Sequence, residues 1–167
     1  PLKLNGPTIC ARGTQCSFLV QLRSWMPPEI GSVMWLAPHR PDVQAYTPWY
    51  VAITQFPDIF AYGDHNFALE NHFNPSDGTF DRNNGHAFWS YLSLVHAADE
   101  DYFKRSTELR KKWLKNEKQM FAKQNKFESR VADIYGKNPE RAKKLITDYS
   151  ISSAYKCFKI VKNYPKK

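Results

Sequence analysis

From Ala87 to Tyr135 the chain contains neither proline nor glycine, and that run constrains the fold more than any other feature. Proline removes a backbone donor and glycine costs helix stability, so a stretch this long without either suits long helices. Phe88, Tyr91, Leu92, Val95, Ala98 and Tyr102 recur at helical spacing, and Leu109, Trp113, Met120, Phe127, Val131 and Ile134 continue the pattern. The spacing predicts one long amphipathic helix or two in succession. Gly136 stops it. Asn138, Pro139 and Glu140 then supply an N-cap, a proline at the first helical position and an acidic first turn. Ala142, Leu145, Ile146 and Tyr149 give the next apolar stripe, and Ser150 is expected to cap a final helix running to about Asn163.

The first third of the chain has a different texture. Residues 16–22, 32–37 and 45–54 are short runs rich in β-formers. Pro27-Pro28 ends the first run, because proline donates no ladder hydrogen bond and restricts the residue before it. The second run, SVMWLA, is apolar at nearly every position, which predicts burial on both faces. Pro48 places the third run at an edge or a bulge. Short links between the runs favour antiparallel pairing. Residues 57–86 are rich in Asn, Asp, Gly and Pro and read as a long ordered loop. The expected fold class is therefore α+β: an incomplete antiparallel sheet of about three strands, followed by long helices. One unit spans 1–167, with strands in 1–56, the loop in 57–86 and helices in 87–163.

Hydrophobic residues make up 42% of the chain and aromatics 15%, enough for a real core. No apolar run approaches the roughly 20 residues that span a bilayer. Pro1 opens a short mixed segment without the apolar stretch of a signal peptide, and the compartment stays open. Three cysteines, Cys10, Cys16 and Cys157, make no disulfide framework. They are expected as small buried side chains, with a Cys10–Cys16 bridge as the alternative. The net charge of +8 is uneven: residues 1–103 hold 5 Lys/Arg against 10 Asp/Glu, whereas residues 104–167 hold 19 against 6. Such a basic half suits the solvated faces of Lys-rich helices, and equally a basic surface for a partner or a nucleic acid.

The residues that carry chemistry form no self-sufficient set. His65, His72 and His86 lie near Asp64, Glu70, Asp77 and Asp81, but without the spacing of a zinc motif. Hydrogen-bonded or surface histidines explain them more simply. The aromatics between Arg110 and Phe127 fall on the apolar helix face, which makes them core rather than base-stacking platforms. No GxSxG elbow is present, and Cys10 and Cys16 stand in strand-like context without a nearby histidine.

The segment ARGTQCSFLVQLRSWMPPEIGSVMWLA, followed by YTPWYVAITQFPDIF, resembles the C69-type peptidases, dipeptidases of the N-terminal-nucleophile hydrolase superfamily. The family shows a Thr-x-x-Ser/Thr-Phe-x-x-Gln-x-Arg strand, a Trp-Leu-Pro turn, a Gly-x-x-x-Trp strand and a Tyr/Phe-x-Pro-x-Tyr segment. Here Thr14, Ser17, Phe18, Gln21 and Arg23 match first. Trp25, Met26 (where Leu is usual), Pro27, Gly31, Trp35, Tyr46, Pro48 and Tyr50 follow in order. Ala87-Phe88-Trp89 resembles the family's AFW helix start, and NPERAKKLITDYSISSAY resembles its C-terminal end.

The resemblance implies a four-layer αββα sandwich, of which this chain would be the C-terminal part. It implies a cysteine at the start of the mature chain whose thiolate attacks the peptide carbonyl, with its own α-amine as base. This sequence begins with Pro1, so the chain alone is expected to be inactive. Arg12 and Thr14 are the candidate substrate-binding residues, since arginine suits a carboxylate. Arg23 fits a structural ion pair near the Pro-Pro turn, and Trp35 and Trp49 fit the core. No catalytic residue, cofactor or metal is assigned to this chain. The expected partners are a dipeptide substrate in the complete enzyme, the remaining N-terminal part of the same protein and a second copy, with no nucleic acid or membrane. The alternative is a non-enzymatic, basic helical interaction or nucleic-acid-binding module.

Overall fold

The computed structural model describes residues 10–11, 13–60 and 85–165. Three strands form one antiparallel sheet in sequence order: β1 (Cys16–Leu22), β2 (Ser32–Pro38) and β3 (Thr47–Tyr50). Leu19 stands opposite Trp35, and Trp35 opposite Pro48. A one-turn helix, α1 (Pro28–Gly31), joins β1 to β2, with Pro28 at its first position. Three long helices follow: α2 (Ala87–Glu100), α3 (Tyr102–Tyr135) and α4 (Pro139–Lys162). The α+β order expected from the sequence is present.

The third strand is shorter than the expected 45–54, for identifiable reasons. The Tyr46 N–H donates to Glu117 Oε1 (3.2 Å) on α3 instead of entering the ladder. Beyond Tyr50 a turn closes, with Ile53 N–H on the Tyr50 carbonyl (3.3 Å). Thr54 then binds Thr147 on α4 through its own N–H (3.0 Å). Pro48 sits in this edge strand, where its missing donor costs least.

β2 is covered on one face only, which corrects the expectation for SVMWLA. Val33, Trp35 and Ala37 are buried, whereas Met34 is exposed and Leu36 half-buried. The buried side packs on the helices: Ile30, Val33, Trp35 and Tyr50 join Met120 and Val131 of α3 and Ala142 and Ile146 of α4. A second cluster joins Val43 and Ala45 to α2, to Leu109 and Trp113 of α3, and to Cys157 and Val161 of α4. Trp113 Nε1 donates to the Val43 carbonyl at 2.7 Å, tying the connection after β2 to the middle of the bundle.

The helical half is two helices and then a third. The chain breaks at Asp101, whose φ of −142° and ψ of 70° are not helical. Asn138 caps α4 through its side chain, which accepts from Arg141 N–H (3.0 Å). Ser150 caps nothing: α4 runs unbroken through it, and its side chain is buried. Neighbouring hydroxyls of Thr147 and Ser153 bond back to the carbonyls of Lys143 and Tyr149, satisfying themselves inside the helix. The basic residues follow the solvated-face pattern. Lys111, Lys112, Lys115, Lys118, Lys123 and Lys126 are exposed, while Leu109, Trp113, Met120 and Val131 form the buried stripe.

Cys157 is buried as expected, but Cys10 and Cys16 are exposed, and all three are free thiols. The alternative, a Cys10–Cys16 bridge, is not formed. No helix among the described residues is long and apolar enough to cross a membrane.

Candidate functional site

The start of β1 and the end of β2 meet in a polar shelf. Cys16 pairs with Pro38, and His39 N–H donates to the Gln15 carbonyl at 2.8 Å. Thr14, a candidate substrate-binding residue, sits half-buried one step before this pair, its N–H on the Ala11 carbonyl (3.0 Å). Arg12, the other candidate, lies outside the described residues.

Two buried charges underlie the shelf. Ser17 Oγ and Tyr46 OH are 2.8 Å apart, Tyr46 N–H reaches Glu117, and Arg110 pairs with Glu117 at 3.0 Å. Alongside, Arg40 is buried and donates to Asp99 at 2.7 Å, and its Nε faces Asp42 at 3.4 Å, an ion pair without hydrogen-bond geometry. Tyr102 OH donates to Asp42 (2.9 Å), and its ring lies 5.7 Å below the Arg40 guanidinium. With two carboxylates and a ring around it, Arg40 holds the shelf together and is not free to take a substrate carboxylate. Sequence reasoning missed this residue. The signal was a His-Arg-Pro-Asp turn between two strands.

His39 is the one described non-glycine residue in the left-handed region, at φ 57°. Its ring is buried against Phe88, 5.0 Å between centroids, and its Nε2 has no hydrogen-bond partner. Burial pulls its pKa below the ordinary histidine value. Cys10 lies within reach of the Asp42 and Arg40 charges. Burial, then the Asp42 charge, pushes its pKa up. A thiol raised in this way stays protonated at neutral pH, the opposite of an activated nucleophile.

The other end of β1 carries Arg23, held by four hydrogen bonds. Its guanidinium meets both Glu128 oxygens at 2.7 Å and the carbonyls of Ile30 and Gly31 at 3.2 Å. Glu128 also accepts from Tyr50 OH (2.8 Å) and Gln124 Nε2 (2.9 Å). Gln21 Oε1 accepts from both Trp35 Nε1 and Gln124 Nε2 at 2.8 Å. Of the motif residues matched one by one in the sequence, Arg23 and Tyr50 thus meet on the Glu128 carboxylate, and Gln21 and Trp35 join the same network through Gln124. A cleft of about 850 Å³ opens beside them, lined by Val20, Trp25, Met26, Gln124 and Glu128 among others. The network is satisfied from within, so its work is to hold α3 against the turn after β1, the structural role expected for Arg23. Trp35 and Trp49 are both buried.

Residues 3–79 match the model of peptidase family C69. Over that stretch the chain is similar to the C69 peptidases. No curated protein and no solved structure matches it. The C69 match contains all three strands, the shelf up to Asp42 and Tyr46, and the Arg23 turn. The helices carrying Asp99, Glu117 and Glu128 lie beyond it, yet these three residues supply the carboxylates that hold Arg40, Tyr46 and Arg23. No three His, Cys, Asp or Glu side chains among the described residues converge as a metal site requires. Of the histidines weighed as ligands, His86 caps α2 by accepting from Phe88 N–H (3.1 Å). His65 and His72 lie outside the described residues, as do Asp64, Glu70, Asp77 and Asp81.

Proposed function

We propose that this chain is the C-terminal portion of a C69-type cysteine dipeptidase, within an αββα sandwich. The match over residues 3–79 carries the reading, since it spans an ordered series of motifs rather than one. The nucleophile in this account is an N-terminal cysteine that is not among residues 1–167. Its thiolate adds to the dipeptide carbonyl carbon. The amide nitrogen leaves as an amine, taking a proton from the cysteine's α-ammonium, and water then hydrolyses the thioester. Cys10, with its raised pKa, does not replace that group. Residues 1–167 alone therefore hydrolyse no dipeptide.

Arg12 and Thr14 contact the substrate in this reading, with Arg12 facing its carboxylate. Support comes from the place of Thr14 beside the β1–β2 shelf and from the engagement of Arg40 and Arg23 by Asp99 and Glu128. Arg12→Gln in the enzyme carrying its N-terminal cysteine tests this. KM for a dipeptide should rise roughly tenfold or more with kcat little changed, the mark of lost ground-state binding through a charge-assisted hydrogen bond. An unchanged KM removes Arg12 from the site.

A further inference from the structure

α3 turns two of its four carboxylates inward. Glu117 and Glu128 are buried, where they hold Arg110 and Tyr46 and, further along, Arg23. The other two, Glu108 and Asp133, stand exposed near the ends of the helix. From Lys111 to Arg130, between them, every exposed charged side chain is positive: six lysines and Arg130. None of these seven shares an ion pair with an acid among the described residues.

A solvated basic helix ordinarily sets Glu or Asp three or four positions from its lysines. Here Lys111 and Lys115, Lys115 and Lys118, Lys123 and Lys126, and Lys126 and Arg130 stand at that spacing. Like charges at this spacing repel along the helix, and counter-charge from outside the chain relieves the repulsion. The basic side lies opposite the buried stripe of Leu109, Trp113, Met120 and Val131, of which Met120 and Val131 pack with Val33 and Trp35 of the sheet. It therefore turns away from the sheet. In the proposed αββα arrangement the further layers stack on the sheet face opposite the helices, which leaves this side of α3 at the surface of the complete protein.

We propose that the outer side of α3, from Lys111 to Arg130, docks on the surface of an anionic lipid bilayer. The stripe is about 30 Å long, and a planar anionic surface meets all of it at once. Long lysine stems carry point charges to such a surface without needing a fixed geometry. Nucleic acid fits less well. α4 flanks the stripe, with Lys156 Nζ on Gln119 Oε1 at 3.2 Å and the Tyr164 ring 5.7 Å from Lys112 Nζ, so α3 cannot enter a major groove about 12 Å wide. No open aromatic stands among the lysines to stack a base: Trp113 is buried and Phe127 is stacked on Tyr149, 4.2 Å between centroids. This departs from the sequence expectation of no membrane partner, because the inward turn of Glu117 and Glu128 is visible only in the fold. The docking does not depend on catalysis.

Vesicle flotation tests it. Residues 1–167 should float with vesicles of phosphatidylcholine containing about 30% phosphatidylserine, and not with phosphatidylcholine alone. Binding should vanish as salt rises from about 0.1 M to about 0.5 M. Lys111→Gln/Lys115→Gln/Lys118→Gln should weaken it roughly 100-fold, about fivefold for each lysine. Glutamine keeps the helix propensity, so the far-ultraviolet spectrum should not change. Ser24→Glu/Val51→Glu/Gln55→Glu alters net charge equally at exposed positions beside the sheet, and should bind as the wild type does. The longer polypeptide encoded with its upstream sequence should bind as residues 1–167 do. Absence of binding to the anionic vesicles overturns the proposal, and so does an equal loss in both triple variants, which would make net charge the cause. Tighter binding to a short DNA duplex than to the vesicles assigns the stripe to nucleic acid and overturns it. Binding by residues 1–167 that disappears in the longer polypeptide assigns the stripe to a contact within the protein and equally overturns it.

Discussion

Arg23 and Glu128 meet through two parallel hydrogen bonds of 2.7 Å each, although 105 residues separate them in sequence. One comes from the turn after β1, the other from the buried face of α3. Their side chains are 12% and 2% exposed, so the pair is largely desolvated. Breaking a buried pair leaves one charge stranded, which costs about 3–5 kcal/mol. Glu128→Ala is therefore expected to lower unfolding stability by about that much, and Glu128→Gln by less. Arg23→Ala combined with Glu128→Ala should cost at least about 1 kcal/mol less than the two changes added, because the residues act through each other. Urea denaturation of the three variants and the wild type measures this. Additive losses would mean that the contact carries no coupling.

Gly31 ends α1 where the chain doubles back on itself. A Cβ there would stand 2.6 Å from the Arg23 carbonyl oxygen and 3.2 Å from Met26 Cβ. Neither the backbone oxygen nor the turn can withdraw easily. Gly31→Ala is expected to destabilise by about 1–3 kcal/mol, the usual cost of overpacking. Gly136 offers the control: its φ is −60° and nothing lies within reach of an added Cβ. Gly136→Ala should be neutral or stabilising by up to about 1 kcal/mol, through the unfolded chain. Thermal unfolding of both variants distinguishes them.

His39 makes stability depend on acid. Burial is the first cause of its lowered pKa, and the His96 and Arg40 charges act in the same direction. A histidine with a depressed folded pKa takes up its proton more readily when unfolded. Its contribution is therefore complete above the unfolded value near 6.5 and is lost as pH falls below it. Stability should drop between about pH 7 and pH 5. His39→Asn, which tolerates the left-handed backbone, should flatten that part of the profile. An unchanged slope in the variant would place the acid sensitivity elsewhere.

The thiols should divide two to one. Cys10 and Cys16 are exposed and should react with a thiol reagent in the folded protein. Cys157 lies between the helices, and burial pushes its pKa up to about 12. It should react only on unfolding. Because the unfolded thiol ionises first, stability should also fall as pH rises from about 9 towards 12, by as much as about 1.4 kcal/mol per pH unit from this residue. Three fast-reacting thiols in the native state would contradict the packing.

Much of the fold was legible because local chemistry and global packing agree. Pro28, Gly136, Asn138 and Pro139 mark element boundaries that the chain obeys. The misses come from long-range effects. Glu117 takes the Tyr46 N–H and shortens β3, and nothing near Tyr46 in sequence announces that partner. Ser150 looks like a cap, but its buried hydroxyl makes no cap hydrogen bond, and Thr147 and Ser153 on either side bond back to carbonyls one helical turn earlier, so the helix continues. The apolar SVMWLA run implies two covered faces, yet the helices cover only the side of Val33 and Trp35. At the site, the motif positions Gln21, Arg23, Trp35 and Tyr50 were readable as a set. The carboxylate of their network, Glu128, was not, because it lies on a helix where acidic residues are ordinary.

Dipeptide hydrolysis, measured side by side for residues 1–167 and for the uninterrupted polypeptide encoded with its upstream sequence, tests the central claim most directly. The account predicts turnover only by the longer polypeptide, abolished when its first mature cysteine becomes alanine. Turnover by residues 1–167 alone, or none by the longer polypeptide, would contradict it.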